Sequence, residues 1–162
     1  MLFRSKNNLL LAGILLLCLY LLACSKSSGS LTPITRASLT FTANDSMINY
    51  PISVAYIQDV VNVHTTLITG QYADTSAKKG SISIRLIGDT TGRYQGDSLL
   101  ITYTTPDGTL YYNTRDTSNY VRIDKFAKTP SGIVNGGFSC RVYNGNDTIL
   151  LSDGTLLAYY QD

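Results

Sequence analysis

Apolar and polar residues alternate along most of the chain from Leu39 onward. The alternation is clear at Ile82, Ile84 and Leu86, whose intervening neighbours are polar. A period of two places successive side chains on opposite faces of a β-strand, so that one face is buried and the other faces water. Runs of this kind are separated by turn signals, of which residues 106–108 (Pro-Asp-Gly) are the strongest. The predicted strands begin near residues 39, 48, 57, 82, 99, 110, 120, 138, 148 and 155.

This spacing predicts an all-β domain, an antiparallel β-sandwich of about eight to ten short strands. A small open β-barrel is the alternative architecture for such a pattern. The run at residues 57–68 combines helical spacing with many β-branched side chains, and the β-branched residues favour a strand. Pro51 indicates an edge strand or a bulge. Residues 153–154 (Asp-Gly) predict a final hairpin turn.

The first residues of the chain have the order of a secretory signal peptide, which would form an N-terminal helix. Arg4 and Lys6 precede an uninterrupted apolar run at residues 9–22, and a small residue follows it. The apolar run is shorter than the roughly 20 residues that a membrane-spanning helix needs. We therefore expect residues 1–23 to be removed as a signal peptide.

Residues 21–24 (Leu-Leu-Ala-Cys) resemble the lipobox of bacterial lipoproteins. The resemblance implies that the sulfur of Cys24 receives a diacylglyceryl group and that Cys24 becomes the first residue of the mature chain. Several acyl chains on one residue give a durable membrane anchor. An ordinary cleaved signal with an incidental cysteine is the alternative. Residues 24–37 would then be the lipidated cysteine and a flexible, serine-rich tether, and residues 38–162 the β-sandwich domain.

Four short motifs, taken in order, resemble those of a family of small envelope lipoproteins of the Bacteroidota. The similarity covers about residues 38–160 and implies a β-sandwich, but it implies no activity. The motifs are residues 41–43 (Phe-Thr-Ala), 91–94 (Thr-Gly-Arg-Tyr), 136–139 (Gly-Gly-Phe-Ser) and 153–154 (Asp-Gly).

The residues that follow Cys24 indicate a location at the outer membrane of the cell envelope. Ser25, rather than an aspartate, follows the cysteine, which resembles outer-membrane sorting. Surface-exported lipoproteins of the Bacteroidota carry acidic residues at this point, whereas here Lys26 follows and no acidic residue precedes Asp45. The periplasmic face is therefore favoured over the cell surface.

The charge of the mature chain argues against nucleic acid as a partner. The whole chain carries 13 basic and 11 acidic residues. Removal of Arg4 and Lys6 with the signal peptide leaves equal numbers of each, so the mature chain is formally neutral. A neutral chain has no field that attracts polyanions, and no nucleic-acid partner is expected.

Cys140 would be the one thiol left after signal cleavage and lipidation, so no internal disulfide is expected. It alternates with Phe138 and Val142, which we expect to face inward. The pattern predicts a small core residue rather than a reactive thiol.

The sequence carries little of the chemistry that enzymes use, and we expect a non-catalytic protein with no metal or cofactor. His64 is the only histidine, and no Gly-x-Ser-x-Gly nucleophile motif accompanies it. All eleven acidic residues are aspartates, and most lie in turn-like segments. Residues 144–147 (Asn-Gly-Asn-Asp) are the best calcium candidate, but their spacing favours a hairpin. The alternative is a glycan-directed hydrolase, which needs two Asp carboxyls about 5–10 Å apart across a concave face.

Tyrosine is the strongest compositional bias, and it supplies the predicted ligand contacts. In a strand, two adjacent tyrosines point to opposite faces, so one ring of each pair must point away from the core. Outward rings provide flat contact area for a partner, which we expect to be an envelope glycan or an envelope protein. The alternative is a sandwich core with exposed cross-strand tyrosine pairs. The candidate residues are Tyr111, Tyr112, Tyr159 and Tyr160.

Several aspartates are followed directly by serine or threonine. Four of these pairs resemble the Asp-Ser/Thr-x sites at which Bacteroidota O-glycosylate exported proteins. An equally open interpretation is that Asp ends a turn and the hydroxyl residue begins the next strand. The candidate O-glycosylation residues are Ser46, Thr90, Ser98 and Thr148.

Overall fold

The computed structural model describes residues 36–60, 63–72 and 80–161, which belong to one compact unit, Thr35–Asp162. In these ranges the chain is nearly all β-strand, and the predicted all-β class is confirmed. The one helical segment among the described residues is a 3₁₀ turn, Gly96–Ser98. The strands are β1 (Ser38–Ala43), β2 (Ser46–Tyr50), β3 (Ile52–Val60), β4 (Val63–Gln71), β5 (Ser81–Ile87), β6 (Gly92–Gln95), β7 (Leu99–Thr104), β8 (Leu110–Asn113), β9 (Tyr120–Phe126), β10 (Ile133–Tyr143) and β11 (Thr148–Tyr160).

The strands form two layers that are continuous at two corners. The six-strand layer has the order β2-β1-β11-β10-β9-β6, and the five-strand layer has the order β3-β4-β5-β7-β8. Pairing within each layer is antiparallel. At one corner the end of β11 pairs in parallel with β3, and at the other the end of β10 pairs with β8. The predicted sandwich is therefore present, with its layers joined into one hydrogen-bonded sheet.

The core lies between the two layers and is centred on Phe41. The ring of Phe41 meets Tyr103 of the five-strand layer edge-on, with ring centroids 5.6 Å apart. On its own layer Phe41 packs against Tyr50 and Phe138, at 6.0 and 5.8 Å. The period-two pattern places these rings inward, because alternate residues of β1 and β7 are buried. The largest fully buried side chains are Tyr50, Phe41, Leu39, Ile68, Ile82, Ile84, Leu86, Ile101, Ile123, Leu151, Val121 and Val134.

The number of strands in the described ranges is eleven, above the predicted eight to ten. The run that begins at Ile48 divides at Pro51, where the chain leaves the six-strand layer and enters the five-strand layer. Proline has no N–H to donate to a ladder, which favours a break at this position. A short edge strand, β6, also forms at a place where no strand was predicted. The ambiguous residues 57–68 fall in β3 and β4, which confirms the strand interpretation within the described residues.

The predicted hairpin turn at residues 153–154 is wrong. β11 runs without interruption through Asp153 and Gly154, and a register shift against β10 accommodates them. Asp153 has φ 52, a left-handed conformation that Asp tolerates better than most residues. The residues therefore form a bulge inside a long strand, and the last hairpin is the one at residues 144–147.

The signal peptide, Cys24 and most of the predicted tether lie outside the described residues. Within the part of the chain that the structure describes, no helix has the length and hydropathy to cross a membrane.

Candidate ligand-binding groove

A groove of about 630 Å³ lies on the outer face of the six-strand layer, where β9, β10 and β11 run side by side. This volume falls within the range of about 300–1,000 Å³ that is usual for small-molecule sites. The groove is lined by Tyr120, Arg122, Asp124, Gly136, Gly137, Phe138, Ser139, Ser152, Asp153, Gly154 and Thr155.

The floor of the groove is open because Gly137 carries no side chain. Gly137 lies in register with Arg122 of β9 on one side and Thr155 of β11 on the other. Its neighbour Phe138 is buried in the core, so position 137 faces outward. A Cβ at this position would meet the carbonyl oxygen of Gly154 at 3.1 Å. A glycine in mid-strand lets a ligand approach the backbone closely.

Two bulges in the strands on either side of β10 flank this groove. The first lies at residues 152–154 of β11 and shifts the register against both β1 and β10, and the second lies at Asp124 of β9 and shifts the register against β10. The other ladders between described strands run without a shift. Bulges re-aim side chains and are enriched beside functional sites. The irregular part of the sheet therefore coincides with the groove.

Tyr120 forms an aromatic wall of the groove. The guanidinium carbon of Arg93, from the edge strand β6, lies 3.9 Å from the centroid of the Tyr120 ring. The Nε of Arg93 also donates to Oε1 of Gln95 at 3.0 Å, which holds the guanidinium in place. Arg93 covers one face of the ring and does not itself line the groove, whereas Tyr120 does, so we infer that the opposite face of the ring borders the groove.

Several charged and hydroxyl groups of the lining have hydrogen-bond or ion-pair partners. The Nε of Arg122 lies 2.8 Å from Oδ1 of Asp124, and the Nη2 donates to Oδ2 at 3.3 Å. The Ser152 hydroxyl donates to Oδ2 of Asp153 at 3.2 Å. The Thr155 hydroxyl is 2.6 Å from that of Thr40. The lining thus presents one cation, two carboxylates and several hydroxyls, with the second cation, Arg93, behind Tyr120.

Two aspartates, Asp124 and Asp153, line this groove from the strands on either side of β10. Both are exposed to solvent. Two carboxylates on one concave face are what the glycan-directed hydrolase alternative requires, so Asp124 and Asp153 are the candidates for it. Among the described residues, no group of three or more His, Cys, Asp or Glu side chains is placed to hold a metal ion.

The four predicted tyrosines do not share one surface. Tyr111 is only 7% exposed and packs on Tyr103, with ring centroids 6.4 Å apart, so its ring is not available to a ligand. Tyr112 is 47% exposed and lies at the corner where β8 meets β10. Tyr159 and Tyr160 are half-buried at the other corner, roughly 35 Å away along β11. None of the four lines the groove.

The remaining candidate residues lie apart from the groove. His64 is exposed on β4, and its backbone carbonyl accepts from the N–H of Gly88 at 2.9 Å. In the hairpin at residues 144–147, the Oδ1 of Asn144 accepts from the N–H groups of Asn146 and Asp147 at 2.9 and 2.8 Å. That oxygen therefore closes the turn, as the hairpin interpretation requires.

The predicted O-glycosylation residues differ in accessibility. Ser46, Thr90 and Thr148 are exposed, and two of them begin strands. Ser98 is half-buried in the 3₁₀ turn, where its hydroxyl donates to the carbonyl of Gln95 at 2.8 Å. Modification of these residues stays a prediction.

Cys140 is 1% exposed and belongs to the core, as the alternation predicted. Burial raises the pKa of its thiol from 9.0 to about 12. The folded chain therefore keeps this thiol neutral through the physiological range, and a neutral thiol is a poor nucleophile.

Comparison of the chain with protein-family models, with curated proteins and with solved structures finds no match. The interpretation of the groove therefore depends on its own geometry. Sequence reasoning missed Tyr120, Arg122 and Gly137 as site residues. The available signals were the paired glycines inside a strand pattern and the Asp-Gly pair that proved to be a bulge.

Proposed function

We propose that this protein is a lipid-anchored envelope lipoprotein whose β-sandwich is a non-catalytic binding module. Its ligand site is the groove between β9, β10 and β11. The observation that carries the proposal is the coincidence of an uncovered glycine, Gly137, with the two bulges of an otherwise regular set of ladders. A bulge interrupts the ladder of hydrogen bonds, so two bulges on either side of one strand favour a functional site at this place.

Two aspartates outside the groove, Asp107 and Asp116, have structural roles in turns, which agrees with a module without catalytic activity. Asp107 accepts hydrogen bonds from the Thr105 and Thr109 hydroxyls in a turn, and these bonds lower its pKa. Asp116 accepts from the N–H of Ser118 in another loop, which lowers its pKa as well. Such carboxylates stabilise turns in their ionised form and are unsuited to general-acid catalysis.

The anchor rests on the sequence at residues 9–24, where an apolar run ends in Ala23 and Cys24. We place the protein at the outer membrane, on its periplasmic face. The variant Cys24→Ala should move the protein from the membrane fraction to the soluble fraction of the producing cells. A variant that still sediments with membranes would contradict the lipid anchor.

The binding function is testable inside the producing cell with a photo-cross-linking amino acid. p-Benzoylphenylalanine at Thr155, an exposed groove residue, should form a discrete adduct on irradiation. The matched control is the same amino acid at Thr102, on the outer face of the five-strand layer, which should form none. Adding Gly137→Val should abolish the Thr155 adduct, because the valine side chain fills the groove floor. Equal adducts at both positions, or no adduct at Thr155, would contradict the proposal.

A further inference from the structure

We infer that the ligand of the groove is an uncharged glycan, one pyranose ring of which lies over Gly137 and against the free face of Tyr120. This inference rests on the proposed function, since it assigns a chemical class to the ligand of the same groove. Three features of the groove support it: its position in the sheet, the pairing of its charges, and the shape of its floor and wall.

The position of the groove excludes recognition of a peptide by strand addition. β10 is flanked by β9 on one side and by β11 on the other, and Gly136 and Gly137 pair with both. Strand addition requires an unpaired sheet edge, which the middle of the six-strand layer does not have. The ligand must therefore be recognised mainly through side chains and shape.

The pairing of charges disfavours an anionic ligand such as a phosphate or a carboxylate. The guanidinium of Arg122 is engaged by both oxygens of Asp124, and Arg93 is held between Tyr120 and Gln95. An anion would have to share Arg122 with Asp124, which already neutralises its charge, and would also meet the carboxylate of Asp153. A sugar hydroxyl avoids this conflict, because it donates to a carboxylate and accepts from a guanidinium without bringing a charge of its own.

The floor and wall of the groove match the two sides of a sugar ring. A pyranose has C–H groups on its faces and hydroxyls around its rim. The free face of Tyr120 offers flat apolar area for the C–H groups, while its hydroxyl stays in water. Gly137 lets the ring approach the sheet backbone, and the hydroxyls of Ser139, Ser152 and Thr155 lie in the same lining. A hydroxyl both donates and accepts, and Ser152, whose proton is donated to Asp153, still accepts from the rim of the sugar.

The test measures binding of defined oligosaccharides to the full-length protein by isothermal titration calorimetry, in a detergent without a sugar headgroup. The probes are neutral hexasaccharides of glucose, mannose, xylose and N-acetylglucosamine, with hexagalacturonate as the acidic counterpart. At least one neutral probe should bind with a dissociation constant below about 1 mM, and hexagalacturonate should bind no more tightly than that neutral probe. Gly137→Val and Tyr120→Ala should each weaken binding at least about tenfold. Tyr112→Ala removes an exposed tyrosine that does not line the groove and should leave binding unchanged.

Three results would overturn the inference: no neutral probe binds, Gly137→Val and Tyr120→Ala both bind as the wild type does, or hexagalacturonate binds tightest. Circular dichroism of each variant shows whether a loss of binding reflects unfolding, and Tyr120→Ala provides the test if Gly137→Val does not fold. The cross-linking experiment separates this inference from the proposed function. A Thr155 adduct that depends on Gly137, together with no binding of any sugar, would reject the glycan and keep the binding module.

Discussion

Replacing Gly136 by alanine is expected to destabilise the fold by about 3 kcal/mol or more, which can abolish folding of a marginally stable domain. A Cβ at this position would lie 1.9 Å from the carbonyl oxygen of Arg122 and 2.9 Å from its carbonyl carbon. Both atoms belong to the backbone of β9, which pairs with β10 at this point. Backbone cannot rotate away as a side chain can, so the two strands must separate and lose ladder hydrogen bonds. Equilibrium unfolding in urea measures the change.

Gly137→Ala is the matched control for this prediction. The added Cβ would meet the carbonyl oxygen of Gly154 at 3.1 Å, a contact that a shift of a few tenths of an ångström relieves. Neither glycine has a positive φ, so alanine brings no left-handed strain at either position. We expect Gly137→Ala to lower the free energy of unfolding by less than about 1 kcal/mol. Equal losses for the two neighbours would show that the close approach of β9 to Gly136 is not what requires glycine there.

Replacing Phe41 by alanine is expected to lower the free energy of unfolding by about 3–5 kcal/mol. Phe41 contacts Tyr103 across the core and also packs against Tyr50 and Phe138 on its own layer. Its removal leaves a cavity where the layers meet, and the surrounding rings relax only in part. The midpoint of urea or thermal unfolding should fall accordingly, with an unchanged slope if the transition stays two-state.

Two further variants give this prediction its controls. Phe41→Leu keeps most of the buried apolar volume. It should lower the free energy of unfolding by less than half as much as Phe41→Ala does. Met47→Ala removes a side chain that is 81% exposed on the edge strand β2, and it should change stability by about 0.5 kcal/mol or less. A loss for Phe41→Ala no larger than that for Met47→Ala would contradict the central role of Phe41 in the core.

The sequence by itself determined the class of the fold and the inward residues of most strands. Alternation of apolar and polar side chains is a local property, because the two faces of a strand differ over a distance of one residue. This is why the burial of Phe138, Cys140 and Val142 follows from the pattern. Local turn chemistry also predicted the hairpin at residues 144–147, where the Asn144 side chain closes the turn on its own backbone.

Only the tertiary structure decided which strands are neighbours and where the groove lies. Tyr120, Gly137 and Thr155 are far apart in the chain and meet because β9, β10 and β11 pair side by side. Asp153 illustrates the same point: an Asp-Gly pair suits a hairpin or a bulge equally well by its local preference. The long ladder with β10 stabilises the bulge over a hairpin turn, because continuing β11 to Tyr160 adds backbone hydrogen bonds and buries Leu156 and Ala158. Those gains come from residues distant in sequence, which a local pattern does not encode.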